Sequence, residues 1–368
     1  MKIDFYCQHL GHKEIAQPVF NELVKRGHEC MWYIGMDAIG RSEECAFLVD
    51  HPKQQKWLLK NMPNFVFYYP HDLLDFKGHG DLSIFSHIFC PSYNWLVNSR
   101  IYAYNKNYSI VGWTKYDSIR KDPMLKRIIE NLPYDFTVIY APSDEKGEGL
   151  SIIKLFSEMK VNVVFKYGAY LWDDHYLRVH YPDNLIKHKG KRWNKILVEI
   201  AQTCAELDNM VFLDPSTTIV EIGQYCDVLI SDYSSTLIEF LSFGQSIQTR
   251  MDKNGLLWGV KTVPLRIQSL ERFILRKIQK YYRRKRQENF LEKMFLPLNI
   301  IIKNTPYSKA IKWVFMSNLA NFFQNYSINE TETNWKEVHN WLFKLDGNTA
   351  IRIVDKMERV INKENLQE

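Results

Sequence analysis

The chain has 368 residues, about twice the usual ~100–200 of a single domain, so two domains are expected. Hydrophobic residues make up 46%, charged residues 24% and aromatic residues 14%; this is a globular composition and excludes a disordered chain, a collagen and a coiled-coil rod. The formal net charge of +6 is concentrated in one run of eight basic residues with no acid: Arg272, Arg276, Lys277, Lys280, Arg283, Arg284, Lys285 and Arg286. The remainder is slightly acidic, so the charge points to a local anionic surface and excludes a protein that is basic throughout.

In chain order, Lys2–Cys7 is an apolar run predicted as a strand, and Gln8–His12 reads as a turn. Ile15, Val19, Leu23 and Val24 recur at helical spacing within Ile15–Lys25, and Arg26-Gly27 ends that helix. Cys30–Ile34 is the next strand, so the chain opens with a βαβ unit and a parallel sheet. Further strands are predicted at Phe65–Tyr69, Ser86–Pro91 and Tyr108–Gly112, followed by a helix at Asp122–Asn131.

A second series starts at Phe136. Strands are expected at Phe136–Tyr140, Asn162–Lys166, Met210–Leu213 and Asp227–Ile230, and helices at Leu150–Met159, Lys195–Glu206, Thr218–Tyr225 and Ser235–Phe243. The expected organisation is an N-terminal α/β domain over 1–125, a second over 126–268, and a basic, aromatic, helical extension over 269–368. In that extension helices are expected at Leu270–Lys293, Asn334–Leu345 and Ala350–Asn362. The six cysteines form no CxxC pair, and Cys7, Cys90 and Cys226, in or beside apolar runs, read as buried thiols. No apolar signal region opens the chain, and no run approaches the ~20 apolar residues of a membrane span. The expected location is cytoplasmic.

The most informative motif is Ser231-Asp232-Tyr233-Ser234-Ser235, where a buried strand ends and a helix begins. Ligands of parallel sheets bind at the C-terminal ends of strands, and helix-start amides with flanking hydroxyls cradle phosphate. Ser231, Ser234 and Ser235 are therefore candidate phosphate ligands, and Glu239 one turn on is a candidate partner of ribose hydroxyls. The alternative is that these residues simply cap the helix. Lys115 and Lys166 are candidate clamps for a diphosphate. No DxD motif stands at a strand end, so no metal is expected.

These segments resemble a known family. Asp227-Val-Leu-Ile-Ser-Asp-Tyr-Ser-Ser235, with Glu239 and Gly244 beyond it, is similar to the signature of the CDP-glycerol glycerophosphotransferases, the teichoic-acid primases and polymerases. Val111–Asp117 resembles that family's interdomain motif, and Val138–Ser143 the start of its C-terminal domain. The resemblance covers roughly 65–265. It implies an α/β fold of the GT-B type, two Rossmann-like domains facing a cleft. It also implies transfer of a glycerol-phosphate group from CDP-glycerol, as substrate rather than cofactor, to a polysaccharide or lipid-linked acceptor. The resemblance makes His71, after the strand Phe65–Tyr69, the candidate base, a neutral imidazole being able to accept a hydroxyl proton near pH 7. In the family that histidine precedes Gly, whereas Asp72 follows His71; where a second histidine is expected after a strand, this chain has Tyr167-Gly168.

The opening Gly11-His12, with Pro18 and Arg26-Gly27-His28-Glu29, is similar to the start of many GT-B glycosyltransferases, a resemblance that makes His12 a second candidate base. It supports the alternative of a GT-B glycosyltransferase using a UDP- or CMP-sugar for capsule or lipopolysaccharide. A scaffold of that fold without activity is a third reading. The basic run 272–286, followed by apolar Phe295–Ile302, fits a peripheral seat on anionic lipid at the inner face of the membrane. It comes without a nucleic-acid-binding module, and no nucleic-acid partner is expected.

Overall fold

Ile3–Cys7 is buried without interruption, and Lys2–Cys7 forms strand β1, hydrogen-bonded on both sides in a parallel sheet. The computed structural model describes residues 1–7, 10–35, 43–49, 62–73, 82–99, 107–117, 119, 122–142, 148–168, 196–214, 217–232, 234–250, 311–315, 323, 336, 338–339 and 346–364. The chain divides into two units, Met1–Lys121 with Lys336–Glu368, and Asp122–Trp335.

In the first unit β1 is joined by β2 (Glu29–Ile34), β3 (Cys45–Leu48), β4 (Phe65–Tyr68), β5 (His87–Cys90) and β6 (Tyr108–Ile110). All pairs are parallel, in the order β2-β1-β3-β4-β5-β6. Strands covered on both faces are apolar nearly throughout, which explains runs such as Phe65–Tyr68. One face carries Phe5, Phe47, Phe67 and Phe89 from four successive strands, with Phe5 and Phe47 stacked at 4.8 Å and Phe67 and Phe89 at 5.9 Å. The other buries Tyr6, Leu48, Tyr68, Ile88 and Trp95. Helix α1 (Leu10–Lys25) follows β1, and α2 (Tyr93–Ser99) follows β5.

The second unit holds β7 (Thr137–Tyr140), β8 (Asn162–Phe165), β9 (Met210–Phe212), β10 (Val228–Ser231), β11 (Gln245–Arg250) and β12 (Ile311–Phe315). They are parallel in the order β12-β11-β10-β7-β8-β9. From β7 the chain builds outward through β8 and β9, then returns to the other side of β7 with β10. Its helices among the described residues include α3 (Pro123–Glu130), α4 (Glu148–Phe156), α5 (196–205), α6 (Ile219–Gly223) and α7 (Thr236–Glu239). Helix α3 starts at Pro123 because Asp122 caps it, accepting from the Met124 and Leu125 amides at 2.8 and 3.2 Å. Thr218 and Glu221 form a reciprocal capping box on α6. On one face of the sheet the core gathers Val138, Val163, Ile230 and Ile247 with Phe156 of α4 and Leu197 of α5.

The last described helix, α8 (Thr349–Glu364), belongs to the first unit, where it lies against α1 and β5. Its N-terminus is capped from a distance: the Asp117 carboxylate accepts from the Thr349 amide at 3.0 Å and the Ala350 amide at 2.6 Å. Arg352 donates to the Val111 carbonyl at 2.6 Å and pairs with Asp346. Arg26, at the end of α1, bridges Glu22 at 2.9 Å and both Asp355 and Glu358 at 2.8 Å, which holds its guanidinium well above the ordinary arginine range.

Several sequence expectations are revised. Leu10–His12 is the first turn of α1 rather than part of a turn before it. Cys45–Leu48, Tyr93–Ser99, Gln245–Arg250 and Ile311–Phe315 are additional elements. Gln245–Arg250 has Ile247 as its only apolar residue, so its buried state leaves no periodic mark; Ser246 donates instead to the Leu237 carbonyl at 2.6 Å. Ile311–Phe315 lies within the segment expected to be a helical extension but is the outer strand of the second sheet. The expected helix 270–293 and the basic run 272–286 lie outside the described residues. Among the described residues no helix is long and apolar enough to cross a membrane.

Candidate active site

In the second unit the strand order reverses between β7 and β10, and their C-terminal ends mark the switch point where a crevice opens in such sheets. Ser231 ends β10 there and is fully buried. Its hydroxyl donates to the Ala141 carbonyl, just past β7, at 2.6 Å, while its own carbonyl accepts from Thr249 of β11 at 3.2 Å. Ser231 thus ties three strand ends together at the base of the loop. These bonds hold the base of the loop in place.

Ser234 and Ser235 are half-buried beside it. The hydroxyl of Ser234 caps α7, accepting from the Thr236 amide at 3.3 Å and from the Thr236 hydroxyl at 3.0 Å. Ser235 already has helical dihedrals (φ −61, ψ −22), and its hydroxyl makes no capping bond. Of the two hydroxyls, that of Ser234 bonds at the helix start and that of Ser235 makes no capping bond. Glu239 closes α7 and is buried among Leu237, Ile238 and Phe240.

Gly244, the last residue of the motif, has a steric reason. A Cβ there would stand 2.4 Å from the Asp227 carbonyl oxygen and 3.1 Å from the Phe240 ring. The chain can re-enter the sheet as β11 only because that atom is missing. Asp227 also bonds the Thr137 amide at 2.8 Å, joining the starts of β10 and β7; burial, which outweighs this bond, holds its carboxyl above the usual range.

Lys166, at the end of β8, is buried, and its ammonium donates to the Tyr167 carbonyl. Tyr167 is itself buried between Tyr140 and Phe212, with the Phe212 ring stacked at 5.5 Å. The position compared with a second family histidine is thus a packed aromatic.

The switch point of the first unit lies between β1 and β3. His12, in the first turn of α1, and His71, shortly after β4, come together there: their rings stack with centroids 4.1 Å apart and an interplanar angle of 25°. Both are half-buried, and Nδ1 of His71 is a buried atom. The sequence offered these histidines as competing candidates; the fold makes them one pair.

The segment after β4 is braced by residues the sequence reading did not single out. Tyr69 is fully buried, donates to the Gly112 carbonyl at 2.9 Å and accepts from the Thr114 amide at 3.0 Å. Burial pushes its phenol well above the usual range, so it serves as a neutral hydrogen-bonding group. Gly112 has φ of +110, a left-handed conformation that favours glycine. The Thr114 hydroxyl donates to the Ile15 carbonyl of α1, and Trp95 Nε1 donates to the Asp72 carbonyl at 3.2 Å. The signal was present in part: Gly112, Thr114 and Asp117 all fall within the quoted Val111–Asp117 motif. Lys115, between them, is half-buried with its ammonium 5.8 Å from the Trp113 ring centroid.

No family model and no curated relative matches the chain. Solved structures do. The wall teichoic acid polymerase TagF, H444N variant, aligns over 100% of this chain and 90% of its own, at 12% identity and a TM-score of 0.52. The same variant soaked with CDPG aligns over 99% and 89%, at 12% identity and 0.51. A protein described as a UDP-N-acetylglucosamine 2-epimerase from Listeria monocytogenes aligns over 97% and 95%, at 9% identity and 0.50. At such identities the likeness concerns the fold. Two parallel sheets with alternating helices, matched end to end by these structures, are the α/β GT-B fold.

Proposed function

We propose that the chain is a transferase that moves a glycerol-phosphate or related polyol-phosphate group from a CDP-activated donor to a hydroxyl of a cell-surface polymer or lipid-linked acceptor. The observation that carries this reading is the end of β10, where Ser235 stands at the sheet's switch point with a hydroxyl that caps nothing. The fold shared with the teichoic acid polymerase supports it. In this reading the second unit holds the donor: Ser235 and the loop amides take the diphosphate, Ser231 and Ser234 shape that loop, and Glu239 meets the ribose. Lys115 and Lys166 offset the charge of the leaving nucleotide. His71 removes the proton of the acceptor hydroxyl. That oxygen attacks the phosphorus bearing the polyol, the bond to the bridging oxygen breaks, CMP leaves, and a phosphodiester remains. The basic run 272–286 seats the enzyme on anionic lipid at the inner membrane face.

A second reading, a glycosyltransferase using a UDP- or CMP-sugar, is favoured by the packed Tyr167 in place of a second histidine. Calorimetric titration with CDP-glycerol, CDP-ribitol, CMP, UDP and UDP-sugars separates the two. Binding of a CDP-polyol that Ser235→Ala weakens by about tenfold or more, the worth of one hydrogen bond to a charged group, supports the first. Preference for a UDP- or CMP-sugar establishes the second, and no binding at all leaves a scaffold.

A further inference from the structure

We infer that His12 is a positioning residue for His71: its ring is the surface against which the His71 imidazole is held. This rests on the reading of His71 as the base. The two rings come from different elements, the first turn of α1 and the segment after β4, yet their centroids are 4.1 Å apart with planes inclined by 25°. That is a face-to-face stack. It covers one face of His71 and leaves the ring edge, where both nitrogens lie, to hydrogen-bonding partners.

Each ring is carried on a braced support. His12 belongs to α1, whose Ile15 carbonyl accepts from the Thr114 hydroxyl. His71 follows Tyr69, whose hydroxyl accepts from the amide of the same Thr114. One residue of the 3-10 turn Thr114–Tyr116 thus sets the separation of the elements that carry the two histidines. A half-buried imidazole whose backbone alone is fixed still rotates about χ2, a broad torsion for histidine. The stacked ring removes that freedom. With Nδ1 of His71 buried, a fixed ring plane presents Nε2 in one direction, as a general base within hydrogen-bond reach of its proton requires. The stack needs a flat ring at position 12 and no nitrogen, so the role is separable from acid–base chemistry by His12 itself.

The test uses the full chain as wild type, His12→Phe, His12→Ala and His71→Gln, with two readouts. The first needs no substrate: the His71 ring resonance in histidine-labelled protein, identified by its loss in His71→Gln, with its ring-current shift and relaxation. The second is release of nucleotide from the donor selected by the titration above, resolved into kcat and KM. His12→Ala is expected to abolish the ring-current shift, mobilise the His71 ring and lower kcat by about tenfold to a hundredfold, the cost of a misplaced catalytic group, with donor KM unchanged. His12→Phe is expected to retain the shift, the order and most of kcat. A His12→Phe variant as slow as His12→Ala would overturn the inference, because His12 would then act through its own nitrogens. An unchanged His71 resonance in His12→Ala would also overturn it. Full turnover in His71→Gln would instead remove the base reading while leaving the resonance result to stand as a measurement of ring packing.

Discussion

His87 opens β5, is 3% exposed, and its ring nitrogen Nε2 lies 2.8 Å from the Ser109 hydroxyl of β6. Burial, with Lys356 of α8 adding like-charge repulsion, depresses its pKa from 6.5 to about 4. The group is therefore neutral in the folded protein wherever an unfolded chain would begin to protonate it. The unfolded state then binds more protons than the folded state, so stability is lost as pH falls from about 6.5 toward 4, and the loss levels off below that. At 1.36 kcal/mol for each tenfold in proton affinity, that interval corresponds to about 3 kcal/mol. His87→Gln keeps a partner for Ser109 and removes the titration. Denaturant unfolding of wild type and variant in parallel from pH 7.5 to 4 should show the wild type losing about 3 kcal/mol relative to the variant. A difference between the two that stays constant with pH would refute the reasoning, since the buried ring would then carry no linked proton.

Three further outcomes follow from contacts described above. Asp117→Ala removes the cap from α8 and should cost about 1–2 kcal/mol, seen as lost amide protection of Thr349 and Ala350 in hydrogen exchange before the rest of the first unit. Ser234→Ala should lower stability by about 1 kcal/mol, whereas Ser235→Ala, which breaks no capping bond, should leave the unfolding midpoint unchanged and weaken only donor binding. Gly244→Ala places a methyl group 2.4 Å from the Asp227 carbonyl and should destabilise by about 1–3 kcal/mol or more, with soluble yield and thermal midpoint as the measurements.

Much of the fold was legible from local chemistry. The strand Lys2–Cys7 and the α3 boundaries at Asp122 and Asn131 agree with the sequence expectation because apolar runs and capping residues act within a few positions. The β11 strand was not legible, since Gln245, Ser246, Gln248 and Thr249 are buried at an inner position of the sheet despite their polarity. The extension divided for the same kind of reason: α8 is amphipathic on its own, but only Asp117, 232 residues before its first turn, Val111 and Arg26 determine where it docks.

The site shows the same boundary. The order of a buried strand ending in Ser231, a short loop and a helix was legible in the sequence, because the apolar run and the polar residues after it act within a few positions. Which serine caps, which ties strand ends and which keeps its hydroxyl out of the cap depends on dihedrals and neighbouring strands, and so on tertiary structure. Likewise, each histidine was visible singly. That His12 and His71 share one stack follows from β1 and β4 lying in one sheet with β3 between them, a pairing of elements far apart in sequence that no local pattern encodes.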